Sequence, residues 1–469
     1  MKKNICIFGV GHYGKNAYWN LNKQYNIVSF IDNNKEAQGG LYDGIKIISL
    51  DEFILYDMMD TDIIVCTRDY LSIGKQLLEI GIESYYVMLE GFLYYTNLES
   101  MMVPVELNNS LYLKKNKNEK NILFVQNSAC IRTHRFAILM RDRGYNVYLL
   151  YTMAPPVNAY EQFNKVYKGI WGFTSYNGIL NFINNSDFDI IHCSNEPDIL
   201  VNIVKKSNKP VIADTHDMQS IRADIDINAI VLEYLANTKS NGNIYVSNAV
   251  ASIAHKKYGD NKNTFCIENL VMDQYEINEA KRKKSTKDGE IHCVYEGGIV
   301  GNSPQNHRYF DVMWKKIAEL GIHIHFFSPS NLELCKRLEN LSPYIHYEGS
   351  ASGGELISKM TEYDCGLALF NSNYNNKFHL ESTSINKVYE YINAKLPIIS
   401  YGIDSLNNFV EKYKVGVNLD FNKNIKEQIE TACKIIIPTN FLRDNKMTMN
   451  SFAEKLENFY NMISNERLY

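Results

Sequence analysis

The stretch STSINKVYEYINAKLPIIS, residues 382–400, decides the fold assignment of this chain. A Ser/Thr-rich loop leads into a helix that we predict to begin near Asn386, and an apolar strand carrying Pro397 follows it. Lys387 and Glu390 are three residues apart, so they share one face of the first helical turn. The lysine and the free N–H groups of that turn can bind a diphosphate, and the carboxylate can accept hydrogen bonds from two ribose hydroxyls. The alternative is an ordinary Lys/Glu pair on a solvated helix face.

The same alternation of strands and helices extends outward over the whole chain. Three blocks open with an apolar run, a turn and an amphipathic helical stretch: NICIFGVG from Asn4, NILFVQN from Asn121 and IHCVYEGGI from Ile291. Such repeats are typical of βαβ units with parallel, buried strands. The sequence therefore predicts an α/β fold built from three doubly wound sheets.

Polar, lysine-rich tracts separate these blocks. LKKNKNEK lies at residues 113–120, and KRKKSTKDG lies at residues 281–289. We read both tracts as linkers, since a charge run is usually solvated. The predicted division is a first Rossmann-like domain, a linker, an N-terminal lobe, a second linker, a C-terminal lobe, and a helix that packs back toward the N-terminal lobe: residues 1–95, 96–120, 121–280, 281–289, 290–440 and 441–469.

Composition excludes several classes of protein. Hydrophobic residues make up 45% of the 469-residue chain, which is typical of a folded protein, and the formal net charge of −4 offers no global attraction to nucleic acid. The nine cysteines are scattered without a CxxC pair and predict reduced, buried thiols. Apolar runs are shorter than the ~18 residues of a membrane span. We expect a cytoplasmic protein, with peripheral contact at the inner face of the membrane left open.

Residues 384–399, SINKVYEYINAKLPII, resemble the P-x-K-x-x-E-Y-x-A-x-G-x-P-V-I signature of retaining GT-B glycosyltransferases similar to family 4. DTHD at residues 214–217, YVSNAVASIAHKKYG at 245–259 and VYEGGI at 294–299 look like landmarks of that family in the same order. The resemblance covers most of residues 121–440. It implies a GT-B architecture of two Rossmann-like lobes, preceded here by a third Rossmann-like domain.

The resemblance also implies roles for particular residues. Lys387 would contact the donor diphosphate and Glu390 the ribose, while the basic side chain after the glycine turn, Arg308 or His307, would support the diphosphate. His216 and Asp217 would face the cleft in a catalytic or acceptor role. A plain tight turn is the alternative for the glycines. The implied site needs no metal, and its remaining donor-binding residues are Gly297, Gly298 and Ser384.

Three positions depart from the family pattern. Asn386 precedes the lysine where proline is usual, and Lys395 replaces the usual glycine. Ser382 occupies the position of the first glutamate in the E-x7-E version, with Glu381 one residue out of register. These departures concern recognition of the donor sugar more than the reaction.

Basic residues also follow the first strand of the predicted N-terminal lobe. Arg132, His134 and Arg135 fall where family members have a loop that faces the acceptor. A surface position without function is the simpler interpretation.

The N-terminal block carries its own motif. Gly9, Gly11 and Gly14 fit GxGxxG after a strand, and Asp32 ends the next strand, where a ribose-binding acid is expected. The block resembles the Rossmann-like domains of nucleotide-sugar epimerases, dehydratases and sugar acetyltransferases. Such a domain could bind a nucleotide, a nucleotide sugar or NAD. A purely structural role for the glycines is the alternative.

The predicted function is transfer of a sugar from a nucleoside-diphosphate sugar to a polysaccharide, glycolipid or other glycoconjugate acceptor, with retention and without a required cofactor. Its setting would be the assembly of cell-envelope polysaccharide. One alternative is an NAD-dependent sugar-nucleotide oxidoreductase that uses the N-terminal motif. The other is a catalytically inactive GT-B scaffold that binds partners.

Overall fold

A computed structural model gives the fold. It describes residues 2–23, 25–55, 61–67, 69–82, 85–89, 92–95, 112–114, 119–128, 130–152, 163–173, 176–222, 227–260, 263–277, 280–299, 303–351, 353–371 and 377–465. The strands within these ranges form three sheets, each covered by helices. The predicted α/β class is confirmed. Most of the predicted linker at residues 96–120 lies outside the described residues.

The first sheet has the order β3-β4-β2-β1-β5-β6-β7, and its central strands are parallel. Short antiparallel strands, β3 and β7, form its edges. The strands are β1 (Asn4–Phe8), β2 (Asn26–Ile31), β3 (Leu41–Tyr42), β4 (Ile45–Ile48), β5 (Thr61–Val65), β6 (Tyr86–Leu89) and β7 (Phe92–Tyr95), and the helices are α1 (His12–Leu21), α2 (Leu50–Leu55) and α3 (Tyr70–Glu79).

The second sheet is parallel throughout its described strands, in the order β10-β9-β8-β11-β12-β13-β14. Its central strands are fully buried and mostly apolar, as expected for a sheet with helices on both faces. The elements are β8 (Asn121–Gln126), α4 (Ile131–Asp142), β9 (Asn146–Tyr151), α5 (Phe163–Val166), β10 (Gly169–Gly172), α6 (Tyr176–Asn185), β11 (Ile190–Ser194), α7 (Asp198–Val204), β12 (Val211–Thr215), α8 (Ile227–Lys239), β13 (Gly242–Tyr245), α9 (Asn248–Tyr258) and β14 (Thr264–Cys266).

The third sheet is also parallel, in the order β17-β16-β15-β18-β19-β20. Its elements are α10 (Ser285–Asp288), β15 (His292–Glu296), α11 (Asp311–Ala318), β16 (His323–Phe327), α12 (Leu332–Glu339), β17 (Ile345–Tyr347), α13 (Gly353–Met360), β18 (Cys365–Leu369), α14 (Lys377–Ser382), α15 (Asn386–Asn393), β19 (Ile398–Tyr401), α16 (Asp404–Tyr413), β20 (Gly416–Asn418) and α17 (Ile425–Cys433).

Helices α18 (Phe441–Asp444) and α19 (Ala453–Asn465) follow the third sheet. From α19, Tyr460 reaches His192 of β11, with 2.5 Å between its hydroxyl and Nδ1. Phe459 and Ile463 lie against Gly242, where a Cβ would come within 3 Å of both side chains. The C-terminal helix therefore packs on the second sheet.

The basic tract at residues 281–289 is ordered rather than extended. It contains α10, and Ser285 donates a hydrogen bond of 2.7 Å to Asp364 beside the third sheet. Among the described residues, no helix combines the length and the apolar character that a membrane span requires.

In each of the three sheets, the strand order reverses beside the first strand of that sheet. The chain steps outward from β1, β8 and β15 in one direction, then returns to add β5, β11 and β18 on the other side. Ligands of doubly wound sheets bind at the carboxyl ends of the strands where the order reverses. In the third sheet this point lies beyond β15 and β18.

Candidate active site between the second and third sheets

Lys387 occupies the point where the strand order of the third sheet reverses. It lies in the first turn of α15 and is 8% exposed. Its Nζ is 4.0 Å from the ring centroid of Tyr295 in β15 and 5.3 Å from that of Phe370, just after β18. Burial lowers the pKa of this ammonium below its ordinary value, and Arg308 adds to the effect, against the opposite influence of Glu296 and Glu390. A bound anion would offset that cost of burial.

The glycine turn after β15 lies beside this lysine. Gly297 has φ of 129°, a conformation that side chains rarely adopt, and a Cβ there would lie 3.6 Å from the Lys387 Nζ. At Gly298 a Cβ would lie 2.5 Å from Arg308 Nη1, which donates to the Gly298 carbonyl over 3.3 Å. The turn therefore lets two cationic side chains approach the backbone closely.

Glu296, the last residue of β15, is the acidic member of this group. Burial raises the pKa of its carboxyl, and Glu390 raises it further, while Lys387 and Arg308 counter both. The sequence interpretation missed Glu296, although it stands directly before the glycine turn. A carboxylate at the end of a parallel strand was the available signal.

Glu390 is held by a residue of the other lobe. Its Oε1 accepts a hydrogen bond of 2.6 Å from Nη2 of Arg135 in α4, and the Glu390 side chain is 13% exposed. Arg135 Nη1 also donates to the carbonyl oxygen of Leu270 over 3.0 Å. The ion pair bridges the second-sheet and third-sheet regions, and it fixes the carboxylate one turn from Lys387.

His216 and Asp217 follow β12 directly, and Asp217 makes a second contact across the cleft. Its Oδ1 is 3.3 Å from Nε2 of His379 in α14, and its Oδ2 accepts from Arg222 over 3.0 Å. Burial by itself raises the pKa of Asp217, but Arg222 and His379 outweigh it and lower the pKa. His379 was missed by the sequence interpretation, because nothing in its local sequence marks it.

His307 lies near both halves of this cleft. Its ring stacks on Phe370 at 6.3 Å between centroids. Burial lowers its pKa to about 4, with further lowering by Arg308 and Lys387 and an opposite effect of Asp217. The imidazole is therefore neutral at physiological pH.

A cavity of about 330 Å³ opens at the reversal point of the second sheet. Gln126 and Ser194, the last residues of β8 and β11, line it together with His216 and Arg222. The His216 Nε2 lies 3.0 Å from the Ser194 hydroxyl. The arrangement presents polar side chains on the side of the cleft opposite α15.

Ser384 lines a different and larger cavity. This space of about 580 Å³ includes Thr383, Glu268 and Tyr389 in its lining but, among the described residues, not Lys387. The Ser384 hydroxyl donates to Glu268 over 3.2 Å. Among the described residues, Lys387 lines neither this space nor the 330 Å³ cavity, so volume alone does not locate the charges clustered around it.

The expectation of a surface loop at Arg132, His134 and Arg135 is wrong. All three lie in α4 and are buried, at 2%, 0% and 2% exposure. Arg132 is neutralised by Asp214, whose Oδ1 accepts from Nη2 over 2.8 Å. Each arginine is paired with a carboxylate, and this pairing offsets the cost of burying the charge.

Two departures from the family signature have local structural explanations. Lys395, at the usual glycine position, adopts φ of 61° two residues after the end of α15. This is the left-handed position that normally favours glycine after a helix. The Glu381 carboxylate accepts the backbone N–H groups of Asp404 and Ser405, each over 2.7 Å, at the start of α16.

The N-terminal glycines pack closely. A Cβ at Gly14 would lie 1.7 Å from the carbonyl oxygen of Gly9, and Gly9 itself has φ of 105°. A Cβ at Gly11 would meet nothing within 4 Å. The Asp32 carboxylate accepts the backbone N–H of Val10 over 2.8 Å. These contacts at Gly9 and Gly14 suit the alternative of a structural role, and nucleotide binding by the motif stays a prediction.

Solved structures of other proteins are similar to this one over 73–75% of the chain. A sucrose-phosphate synthase from Thermosynechococcus elongatus is similar with a TM-score of 0.55 at 10% identity, over 74% of this chain and 99% of that one. The chain has a GT-B fold. The predicted architecture, with a third α/β sheet ahead of the two lobes, is confirmed.

Weaker similarities accompany this one. A glycosyltransferase from Rickettsia africae gives a TM-score of 0.49 at 13% identity, over 75% of this chain and all of that one. HepE of Anabaena, solved in complex with UDP-glucose, gives 0.48 at 13% identity, over 73% and 98%. A family model described as C2185-like, N-terminal, matches residues 1–88. No curated protein matches the chain.

Proposed function

We propose that the chain is a glycosyltransferase that takes its sugar from a nucleoside-diphosphate donor. The observation that carries this proposal is the buried Lys387 ammonium at the start of α15, beside the glycine turn and Arg308. A buried cation at a helix N-terminus is stabilised by an anion, and a diphosphate supplies one. The GT-B fold supports the proposal but does not by itself define a substrate.

Lys387 and Arg308 would stabilise the leaving group. As the bond between the anomeric carbon and the phosphate oxygen breaks, negative charge grows on the nucleoside diphosphate. Fixed cations in a site shielded from water lower the energy of that charge more than they would in water. The donor therefore binds with its diphosphate between the glycine turn and α15, and no metal is invoked for this step.

Glu390 would bind the ribose of the donor. Arg135 occupies its Oε1 and fixes the side chain, so the ribose hydroxyls would donate to Oε2. A carboxylate whose orientation is fixed loses less entropy when it binds a ligand. The Ser384 hydroxyl already donates to Glu268, so Lys387 and Arg308 are the stronger candidates for binding the phosphates.

The acceptor would enter from the second sheet. The cavity beside His216 and Ser194 is lined by polar side chains that suit sugar hydroxyls. His216 and Asp217 are the proposed catalytic or acceptor-binding residues, with a polysaccharide, glycolipid or other glycoconjugate as acceptor and with retention at the anomeric carbon. We place the reaction in the cytoplasm, with acceptors presented at the inner face of the membrane.

The oxidoreductase alternative is not favoured. The Asp32 carboxylate that would bind the ribose of NAD already accepts N–H groups from Val10 and Asn34, each over 2.8 Å. The charged groups on both sides of the cleft favour an active enzyme over the inactive-scaffold alternative.

Calorimetry with Lys387→Ala and Glu390→Ala tests the proposal. We expect each variant to bind UDP or the matching nucleoside diphosphate at least tenfold more weakly, and Lys387→Ala to lose roughly 10²–10³-fold in turnover, the effect of removing one charge-stabilising donor. Lys336→Ala, an exposed lysine paired with Glu339, is the matched control.

A screen of nucleotide sugars against glycolipid acceptors then identifies the donor. If both cleft variants keep wild-type affinity for UDP, GDP, ADP and dTDP, the site is wrong. Absence of transfer and of donor hydrolysis with every nucleotide sugar would favour the scaffold.

A further inference from the structure

Four histidines cluster on one face of the third sheet. β15 and β16 pair His292 with His323, and β16 and β17 pair His325 with His346. Alternate residues of a strand point to the same face, so His323 and His325 share it. The rings of His292 and His323 stack at 4.4 Å between centroids, and those of His325 and His346 at 4.5 Å. Four of the chain's 11 histidines therefore meet in one place.

The cluster is separate from the proposed active site. His292 and His323 are the first residues of β15 and β16. The glycine turn and Lys387 lie beyond the opposite, carboxyl end of β15. A function for the cluster is thus independent of the proposed transferase reaction.

Three of these histidines each point one ring nitrogen at a carboxylate. An ionised carboxylate only accepts hydrogen bonds, so the nitrogen facing it carries the proton. In a neutral imidazole the other nitrogen is then an acceptor with a free lone pair. The contacts are His292 Nε2 to Asp288 at 3.0 Å, His323 Nε2 to Glu290 at 2.5 Å and His325 Nδ1 to Glu348 at 2.6 Å.

Two of the remaining nitrogens face each other, and the third, His323 Nδ1, lies 2.8 Å from Nε2 of His346. His292 Nδ1 lies 2.9 Å from His325 Nε2, and both are the acceptor nitrogens of carboxylate-bound rings. Two lone pairs that face each other at this distance repel unless a cation lies between or beside them. The cation can be a shared proton or a metal ion, and a third histidine within reach of both nitrogens favours the metal ion.

His323 supplies the third ligand. One nitrogen from each of His292, His323 and His325 can be chosen so that all lie within 4.8 Å of one another. Imidazole ligands suit Zn²⁺, and carboxylates that hold the outer nitrogens of metal-bound histidines are a common supporting shell. We propose that these three histidines bind a Zn²⁺ ion, with His346 or a water as fourth ligand.

The distances need only a small adjustment, but the His323 ring must also turn out of its stack on His292, where the ring planes are 7° apart, and give up its contact with His346. Zn–N bonds of ~2.05 Å in a tetrahedral site place ligand nitrogens about 3.3 Å apart. The His292–His325 pair, now at 2.9 Å, opens slightly, and His323 closes by up to about 1.5 Å from its outer limit of 4.8 Å. His323 is 17% exposed, which gives the ion a route from solvent. The bound ion would tie β15 to β16 at the amino end of the sheet.

Metal titration of the full chain, purified without a histidine tag and stripped with a chelator, tests this site. We expect calorimetry to show one Zn²⁺ per chain and thermal melts to show a higher midpoint with Zn²⁺. Co²⁺ should give the visible absorption bands of a tetrahedral site. His323→Gln, the most exposed ligand, should weaken Zn²⁺ binding at least tenfold while keeping the wild-type circular dichroism spectrum.

His255→Gln is the matched control, because His255 lies in α9 outside the cluster. Its Zn²⁺ affinity should equal that of the wild type. The proposal is overturned if the stripped wild type binds no stoichiometric Zn²⁺, which would leave the shared proton as the cation. Equal Zn²⁺ affinities of His323→Gln and the wild type would overturn it as well.

Discussion

Arg132 and Arg135 lie one turn apart on α4, are equally buried and are each paired with a carboxylate, yet they serve different parts of the molecule. Arg132 binds Asp214 of β12, and the two side chains are 2% and 0% exposed. Arg135 crosses the cleft to Glu390, whose side chain is 13% exposed. The first pair belongs to the interior of one lobe, and the second depends on how two lobes are placed.

The difference shows how one helix can serve both folding and binding. The Arg132–Asp214 pair is completed within a single sheet region, so it persists whatever the lobes do. The Arg135–Glu390 pair exists only when the lobes approach each other. Lobe motion around a ligand commonly uses contacts of this second kind.

Breaking the interior pair should have the largest effect on stability. Arg132→Met leaves the buried Asp214 carboxylate with His192 but without its arginine partner, and we expect a loss of roughly 3–5 kcal/mol in the free energy of unfolding. Denaturant unfolding measures it. Arg141→Met, which removes an exposed ion pair with Asp142 on the same helix, should cost less than about 1 kcal/mol. Equal unfolding midpoints for the two variants would contradict this assignment.

Breaking the inter-lobe pair should act mainly on the donor. Arg135→Met leaves Glu390 without an anchor, so we expect donor affinity to fall about tenfold, or ~1.4 kcal/mol. The loss of stability should be smaller than for Arg132→Met, since Glu390 has access to water. Calorimetric titration with the donor nucleotide gives the affinity. Arg143→Met, whose partner Glu457 lies in α19, should bind donor normally, and the same affinity in Arg135→Met would refute the bridging role.

The pH dependence of stability should also distinguish the interior pair at Asp214 from the cleft residue His307. Burial raises the pKa of Asp214, but Arg132 and His192 outweigh it and hold the pKa well below its usual range. The stability contributed by that pair is lost only in strong acid. His307 has a folded pKa of about 4 against ~6.5 unfolded, so its contribution is complete above pH 6.5 and is lost between pH 6.5 and 4.

His307→Phe tests this difference, because phenylalanine can keep the stacking on Phe370. Thermal midpoints measured from pH 7 to pH 5 should fall less in the variant than in the wild type. The His255→Gln control should follow the wild type. A wild-type decline that His307→Phe reproduces in full would assign the pH sensitivity to other groups.

The smallest effect is expected at the end of the helix that carries Glu390. Lys395 holds a left-handed conformation, which costs a side-chain-bearing residue about 1 kcal/mol. Lys395→Gly relieves this strain, but it also removes the lysine contact with Thr439 and gives the unfolded chain more conformational freedom. The net effect should be a rise of about 0.5 kcal/mol in the free energy of unfolding. Lys395→Ala should lower it. A stabilising alanine would show that the backbone there is unstrained.

Periodicity predicted the sheets well because each central strand is a short, continuous apolar run. NILFVQN became β8, IHCVYEGGI contains β15, and the helix expected near Asn386 is α15. The predicted face shared by Lys387 and Glu390 follows from helix geometry alone. In contrast, Arg132 and Arg135 were misplaced, because their burial depends on carboxylates 82 and 255 residues away in the sequence.

The sequence by itself determined the alternation of strands and helices, the glycine turns and the residues of α15, since these depend on neighbours within a few positions along the chain. Only the tertiary structure decided which charges meet. Glu296 joins Lys387, Asp217 joins His379, and four histidines from three strands gather at one end of a sheet. Pairings of this kind follow from the order of strands and the packing of lobes, which local spacing does not encode.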